Sequence, residues 1–215
     1  MDVGHFVTGG GKGQPFSRGT VRSIAGLVLE PLYTWRDGEL RTEPAGARMR
    51  TFDVAGRPRP AVTIGASEQF ALPRLAPGLR TVDVYLGWFG PASGPVHASA
   101  RVSRGLAAVP GLRRAVGGLA GLVAGRTAAA PSAEALAGAR THVVAEVFDA
   151  DGVLLARTRL TGPDAYTVTA GLLAWGAGRA AERGVRGTGA LDAVAAFGLD
   201  ELAAGAAAAG VGEIT

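Results

Sequence analysis

Residues Thr141–Arg183 read THVVAEVFDADGVLLARTRLTGPDAYTVTAGLLAWGAGRAAER, and their reading decides the class of the fold. Two β-rich runs, Thr141–Asp149 and Val153–Leu160, flank Asp149-Ala150-Asp151-Gly152. Acidic turn residues and a glycine between two such runs predict a hairpin. Pro163-Asp164 ends it, and Asp164 is placed to cap a long helix running to about Arg183. Antiparallel strands that hand over to a covering helix point to an α+β domain.

The same pattern recurs upstream. Tyr33–Arg36, the turn Asp37-Gly38 and Glu39–Thr42 predict strand, turn and strand. Arg48–Val54 and Ala61–Ile64 predict two more strands. The GRPRP run at Gly56–Pro60 between them is expected not to pair regularly, because proline has no backbone donor. Thr81–Gly87 alternates as a strand should. Helices are expected from Ser17 or Thr20 to about Leu29, over Ala98–Val109 and Leu112–Val123, and from about Asp200 to Ala209. The chain therefore reads as a flexible Gly-rich segment over residues 1–14, then one α+β domain over residues 15–215. Its sheet is expected to be mixed, mostly antiparallel, with about five to seven strands and helices on one face.

Composition narrows the function. Hydrophobic residues make up 47% of the 215 and charged ones 19%, which is the balance of a folded core and not of a disordered chain. There is no cysteine, so disulfides, thiolate metal sites and cysteine nucleophiles are excluded. One lysine, Lys12, stands against twenty-one arginines, and these are scattered, with Arg113–Arg114 the only adjacent pair. A nucleic-acid binder concentrates its cations on one face, so no nucleic-acid partner is expected. The longest apolar run without a charge, Ala115–Gly125, is far short of the ~20 residues that cross a bilayer. No basic segment followed by an apolar run opens the chain. The expected location is the cytoplasm, away from membranes.

Several motifs of chemistry fail on inspection. Gly9–Gly13 with Lys12 resembles a phosphate loop, but Gly13-Gln14 follows the lysine where Ser or Thr is needed for magnesium. Gly187-Thr188-Gly189 starts like a dinucleotide fingerprint, yet Asp192 takes the place of its last glycine. Gly65-Ala66-Ser67-Glu68-Gln69 has Gln where a nucleophile elbow needs Gly. His5, His97 and His142 show no metal-ligand spacing.

Polar residues at helix entrances survive. The first turn of a helix offers unpaired amides and a positive pole to a polar or anionic group. Ser17, Arg18 and Thr20 stand at one such entrance, and Tyr166 and Thr169 lie three apart at another. The guanidinium of Arg18 has the geometry to grip a carboxylate with two hydrogen bonds. Glu68, after the apolar strand, is a proton-transfer group if buried. Capping accounts equally well for Ser17 and Thr20, a core aromatic role for Tyr166, a surface ion pair for Arg18, and a solvated turn for Glu68.

Taken in order, FSRGTVRS, LEPLYTWRDGEL, GASEQFALPRL, VDVYLGWFG, TGPDAYTVTAGLLAWGAGRAA and GTGALDAVAAFGLDEL resemble the C-terminal half of saccharopine dehydrogenase-like oxidoreductases. The resemblance runs from about Phe16 to the end of the chain. It implies a substrate-binding and dimerising domain that closes the cleft of an NAD(P)-dependent enzyme. It also implies that Ser17, Arg18, Thr20, Tyr166 and Thr169 lie near that cleft, with no catalytic acid assigned. The family's Rossmann half would have to precede Met1. The chain alone is thus expected to bind no cofactor or metal. It is expected to work with a Rossmann-type domain or chain that carries NAD(P), on a small-molecule substrate, as a homodimer. The alternative is a non-catalytic small-molecule-binding or interaction module that keeps only the fold.

Overall fold

The computed structural model describes residues 1–12, 16–29, 31–90, 93–98 and 128–214, with residues 118, 121, 125 and 126. The helices expected over Ala98–Val109 and Leu112–Val123 lie almost wholly outside the described residues. The elements run β1 (Asp2–Thr8), α1 (Arg18–Leu29), β2 (Pro31–Arg36), β3 (Glu39–Pro44), β4 (Met49–Val54), β5 (Arg57–Ile64), α2 (Glu68–Leu75) and β6 (Thr81–Leu86). They continue with α3 (Ala133–Leu136), β7 (Arg140–Phe148), β8 (Leu154–Gly162), α4 (Ala165–Arg183), α5 (Ala193–Phe197), α6 (Leu199–Ala208) and β9 (Gly212–Glu213).

All nine strands join one sheet in the order β3-β2-β6-β1-β7-β8-β9, and the β4–β5 hairpin branches from β6. Among the described residues, β1 with β6 is the one parallel pairing and every other is antiparallel. The α+β class and the mostly antiparallel, mixed sheet are those predicted, but nine strands replace five to seven. One of the additional strands, β9, is two residues long. The other corrects the expectation of a flexible N-terminal segment, because residues 2–8 form β1 at the sheet's centre, paired on both edges. Its glycine dilutes the strand signal yet is required by packing. A Cβ on Gly4 would come within 2.6 Å of the Phe6 ring, with Phe52 close behind.

The RPRP segment also pairs, contrary to expectation: Pro58 stands opposite Asp53 and Pro60 opposite Thr51. The reason is parity. The amide of Thr63 donates to Arg48 on the β4 side, so even-numbered residues of β5 point their nitrogens toward the other edge. That edge meets β6 only from Val62 onward, and two prolines therefore forfeit no ladder bond. Ala55 and Gly56, at φ of 52° and 73°, close the hairpin with the left-handed residues that a two-residue turn requires.

The two faces of the sheet are covered differently. Val3, Val82 and Val84 form one face, against which Leu72 of α2 packs. The other face is covered by the β4–β5 hairpin, which brings Phe52, Val54 and Ala61 onto Phe6, Tyr85 and Val144. Phe52 meets Phe6 and Tyr85 edge to face, both at 5.4 Å between centroids.

Under that hairpin three carboxylates stand side by side. Asp2 is the register partner of Asp83 on one neighbour and of Glu146 on the other. Like charges across a pair repel, and arginines from the hairpin and the outer strands offset this. Arg48 and Arg36 donate to Asp83 at 2.6 and 2.8 Å. Arg50 bridges Asp2 and Glu146 with its guanidinium 4.8 Å from the ring centroids of Phe52 and Phe148. Arg157 reaches Glu146 at 2.6 Å. Burial nonetheless outweighs the attraction of Arg50 and holds the Asp2 carboxyl above its ordinary value. A raised folded-state value means that ionising Asp2 costs stability as pH rises through the carboxylate range.

Arg50→Ala should therefore cost about 3 kcal/mol, since it leaves the half-buried Asp2 without its arginine and Glu146 with Arg157 alone. Asp2→Asn should change stability at pH 7 by no more than about 1 kcal/mol. Urea unfolding of the two variants checks the contrast.

Candidate functional site

The topology gathers several chain segments at one end of the sheet. β1 and β6 are parallel and finish at the same end of the sheet, Leu86 opposite His5 and Thr8 three residues further on. β7 runs against β1 and starts opposite Thr8, and β8 returns to finish opposite Thr141. The entrance of α4 therefore sits at this same end, three residues beyond Gly162. The carboxyl ends of parallel strands are where α/β sheets commonly hold ligands.

Three of the residues singled out from the sequence meet there. The Ser17 amide donates to the Tyr166 hydroxyl at 2.9 Å, and Thr20 Oγ1 lies 2.8 Å from the same oxygen. Ser17 Oγ is 3.0 Å from Thr20 Oγ1 and accepts from the Thr20 amide at 3.1 Å, so it caps α1 as well. Asp164 caps α4 by accepting from the amides of Tyr166 and Thr167 at 3.0 and 3.1 Å. Two capped helix starts are thus tied through one phenol. Burial alone would raise the Tyr166 pKa, but the hydrogen bonds from Thr20 and Ser17 outweigh it and hold the phenol below its ordinary range. A tyrosine so placed holds an oxygen-bearing ligand well and gives up its proton more readily than a free phenol.

Arg18, the first residue of α1, is exposed, and its amide donates to the Ala128 carbonyl at 2.9 Å. Thr169 is not part of the cluster: its hydroxyl donates back to the Ala165 carbonyl at 2.7 Å, and its side chain faces solvent. Helical spacing puts it near Tyr166, but a threonine in a helix has this local acceptor at hand.

Glu68 belongs to a separate pair. Its Oε1 lies 2.8 Å from Nε2 of His5, on the face of the sheet that α2 covers. Burial raises the Glu68 pKa, and the bond to His5 and its charge reverse the shift, so the carboxyl is held below its ordinary value. Sequence reading passed over His5, because its partner is sixty-three residues away. It passed over Trp88 too. The Trp88 ring stacks on Phe16 at 5.5 Å and 11°, joining the segment after β6 to the entrance of α1. Its indole Nε1 is buried with no hydrogen-bond partner among the described residues, as is Oγ1 of Thr141 at the start of β7. His142, 7% exposed, bonds Thr8 Oγ1 at 2.8 Å, and burial and the charge of Arg59 hold its imidazole below its ordinary value.

The Gly9–Gly11 run is engaged by the chain's own backbone. Gly9 and Gly10 adopt φ of 70° and 93°, and side chains at Gly9, Gly10 and Gly11 would run into the carbonyl oxygens of Gly138, Ala135 and Glu134. The Gly11 amide donates to Glu134 at 3.2 Å. These glycines let the backbone around α3 approach the end of β1. Among the described residues no cluster of three metal-ligating side chains occurs, and no helix is long and apolar enough to cross a membrane.

No family model matches the chain, and no curated protein matches its sequence. Among solved structures it is similar to apo histidine-tagged saccharopine dehydrogenase (L-Glu forming) from Saccharomyces cerevisiae, with a TM-score of 0.32 and 14% identity. The match covers 75% of this chain and 51% of the yeast enzyme, so the chain spans about half that protein's length.

Two outcomes are expected. Tyr166→Phe should cost about 1–2 kcal/mol of stability, and should remove the phenolate signal that develops first in an ultraviolet pH titration. Tyr85→Phe should leave that early signal in place, because burial pushes the Tyr85 phenol far up. The lowered Glu68 value makes its contribution full above the ordinary glutamate pKa and lost as pH falls through the folded value. Glu68→Gln should accordingly flatten the acid limb of a stability–pH curve.

Proposed function

We propose that this chain is the acceptor-binding part of an NAD(P)-dependent oxidoreductase, with the nucleotide held by another segment or chain. The observation that carries this reading is the cluster of Ser17, Thr20 and Tyr166, three hydroxyls at two helix entrances on the carboxyl-end rim of β1 and β6. The resemblance of the ordered segments to the substrate side of saccharopine dehydrogenase-like enzymes supports it. So does the engagement of Gly9–Gly11 with the backbone around α3, which leaves the dinucleotide to another binding unit.

In this reading the hydroxyl cluster receives an oxygen of a small-molecule acceptor, and Tyr166 orients that oxygen and donates a proton to it. Arg18, beside the cluster on α1, attracts an acidic substituent. NAD(P) supplies hydride chemistry when bound to its own domain, and the residues described here supply position and hydrogen bonds, which account for much of the rate in such transfers.

The assembly is a homodimer, or a closed pair of domains, that covers exposed apolar residues. Leu155 and Leu173 are 63% and 69% exposed, more than a chain working alone gains from leaving large aliphatics in water.

Calorimetry with NADPH is expected to show no saturable binding to this chain alone; tight binding would overturn the assignment of the nucleotide to another segment. In the complete protein, Tyr166→Phe should lower kcat/KM for the acceptor at least about 100-fold, the usual scale for a lost acid–base group. The affinity for NADPH should stay unchanged. An unaffected kcat/KM would remove Tyr166 from the acceptor site.

A further inference from the structure

A second site lies at the opposite end of α4. Tyr166 stands in its first turn and Arg183 in its last, so the two ends are about 25 Å apart at 1.5 Å per residue. There a cavity of about 170 Å³ is lined by Arg179, Arg183, Arg186, Val185, Phe197 and Glu201, among others. That is room for several waters, whose share of the liquid is about 30 Å³ each.

The charges around it do not balance. Glu201 is the one acidic side chain in the lining, and it already pairs with Arg179. Arg183 lies 3.6 Å from the second oxygen of Glu201 and complements the negative end of α4. Arg186 has no acidic partner among the described residues, and its guanidinium lies against Gly198 so closely that a side chain there would overlap it. Gly198 ends α5 and precedes α6, which it enters without a side-chain cap. Arg186 is thus held between the carbonyl end of one helix and the positive end of another, the second of which repels it. Asp200 and Glu201 in the first turn of α6 temper that pole. Arg179 also lies 3.8 Å from Glu182, so three guanidiniums share two carboxylates, and the charge of Arg186 remains uncompensated among the described residues.

We infer that Arg179, Arg183 and Arg186 form a binding site for a phosphate dianion, as inorganic phosphate or as a phosphomonoester. The uncompensated charge of Arg186, beside the longer 3.6 Å pairing of Arg183 with Glu201, favours an anion, and the forked donors of both match phosphate oxygens. Phe197 and Val185 give the cavity an apolar wall that an ester substituent would contact. The site is independent of the hydroxyl cluster, and neither needs the other to be occupied.

Isothermal titration of the whole chain at constant ionic strength, with inorganic phosphate and with phenyl phosphate, tests the assignment. Saturable binding is expected for both, with sulfate competing and chloride not. Phenyl phosphate binding the tighter identifies a monoester as the occupant, and equal affinity identifies free phosphate. Arg186→Ala should weaken binding about tenfold and Arg183→Ala/Arg186→Ala about 100-fold, while Arg80→Ala changes nothing. A readout without substitution follows phenylglyoxal labelling by mass spectrometry. Phosphate should slow modification of Arg183 and Arg186 selectively over Arg80. Binding that does not saturate, or labelling equally fast with and without phosphate, overturns the site.

Discussion

One parallel pairing governs the whole molecule. Gly4 of β1 lies opposite Tyr85 of β6 with both strands pointing the same way. A parallel neighbour cannot be reached through a tight turn, so a long connection, residues 9–80, must bring the chain back to the starting edge of β1 before β6 begins. That excursion contains α1, the β2–β3 and β4–β5 hairpins and α2, and it explains why one sheet has strands added on both sides of a central pair. The same pairing sets the carboxyl ends of β1 and β6 side by side, where the α1 entrance and Trp88 meet.

The central position of β1 has an electrostatic consequence. It aligns Asp2 with Asp83 and Glu146, a row that tolerates folding only with cations above it. The β4–β5 hairpin supplies Arg50, Arg48 precedes it, and β2 and β8 add Arg36 and Arg157; the rings of Phe52 and Phe148 flank Arg50. Charge and apolar packing therefore act together. The hairpin that buries Phe6 also brings Arg50 onto Asp2 and Glu146.

Chemistry is divided between the two ends of α4. At its start, hydroxyls converge on a phenol whose proton is loosened by its partners. At its end, guanidiniums outnumber carboxylates around a cavity. The helix between them keeps the two groups of side chains about 25 Å apart.

Local signals in the chain were enough for much of this. The Asp149–Gly152 and Asp37-Gly38 turns, the Asp164 cap and the extent of α4 all follow from residues within a few positions of one another. Ser17, Thr20 and Tyr166 were legible as helix entrances for the same reason. Their meeting was not, because 146 positions separate Thr20 from Tyr166 and only the strand order closes that distance. β1 was hidden because Gly4 and the glycines after Thr8 weaken its local preference, while the burial that stabilises it comes from Phe52 and Tyr85 elsewhere in the chain. The pairing of His5 with Glu68, the stacking of Trp88 on Phe16 and the convergence of three arginines belong likewise to the tertiary structure. Side-chain type and short-range spacing fix what a residue is able to do; the sheet's connectivity decides what it does it with.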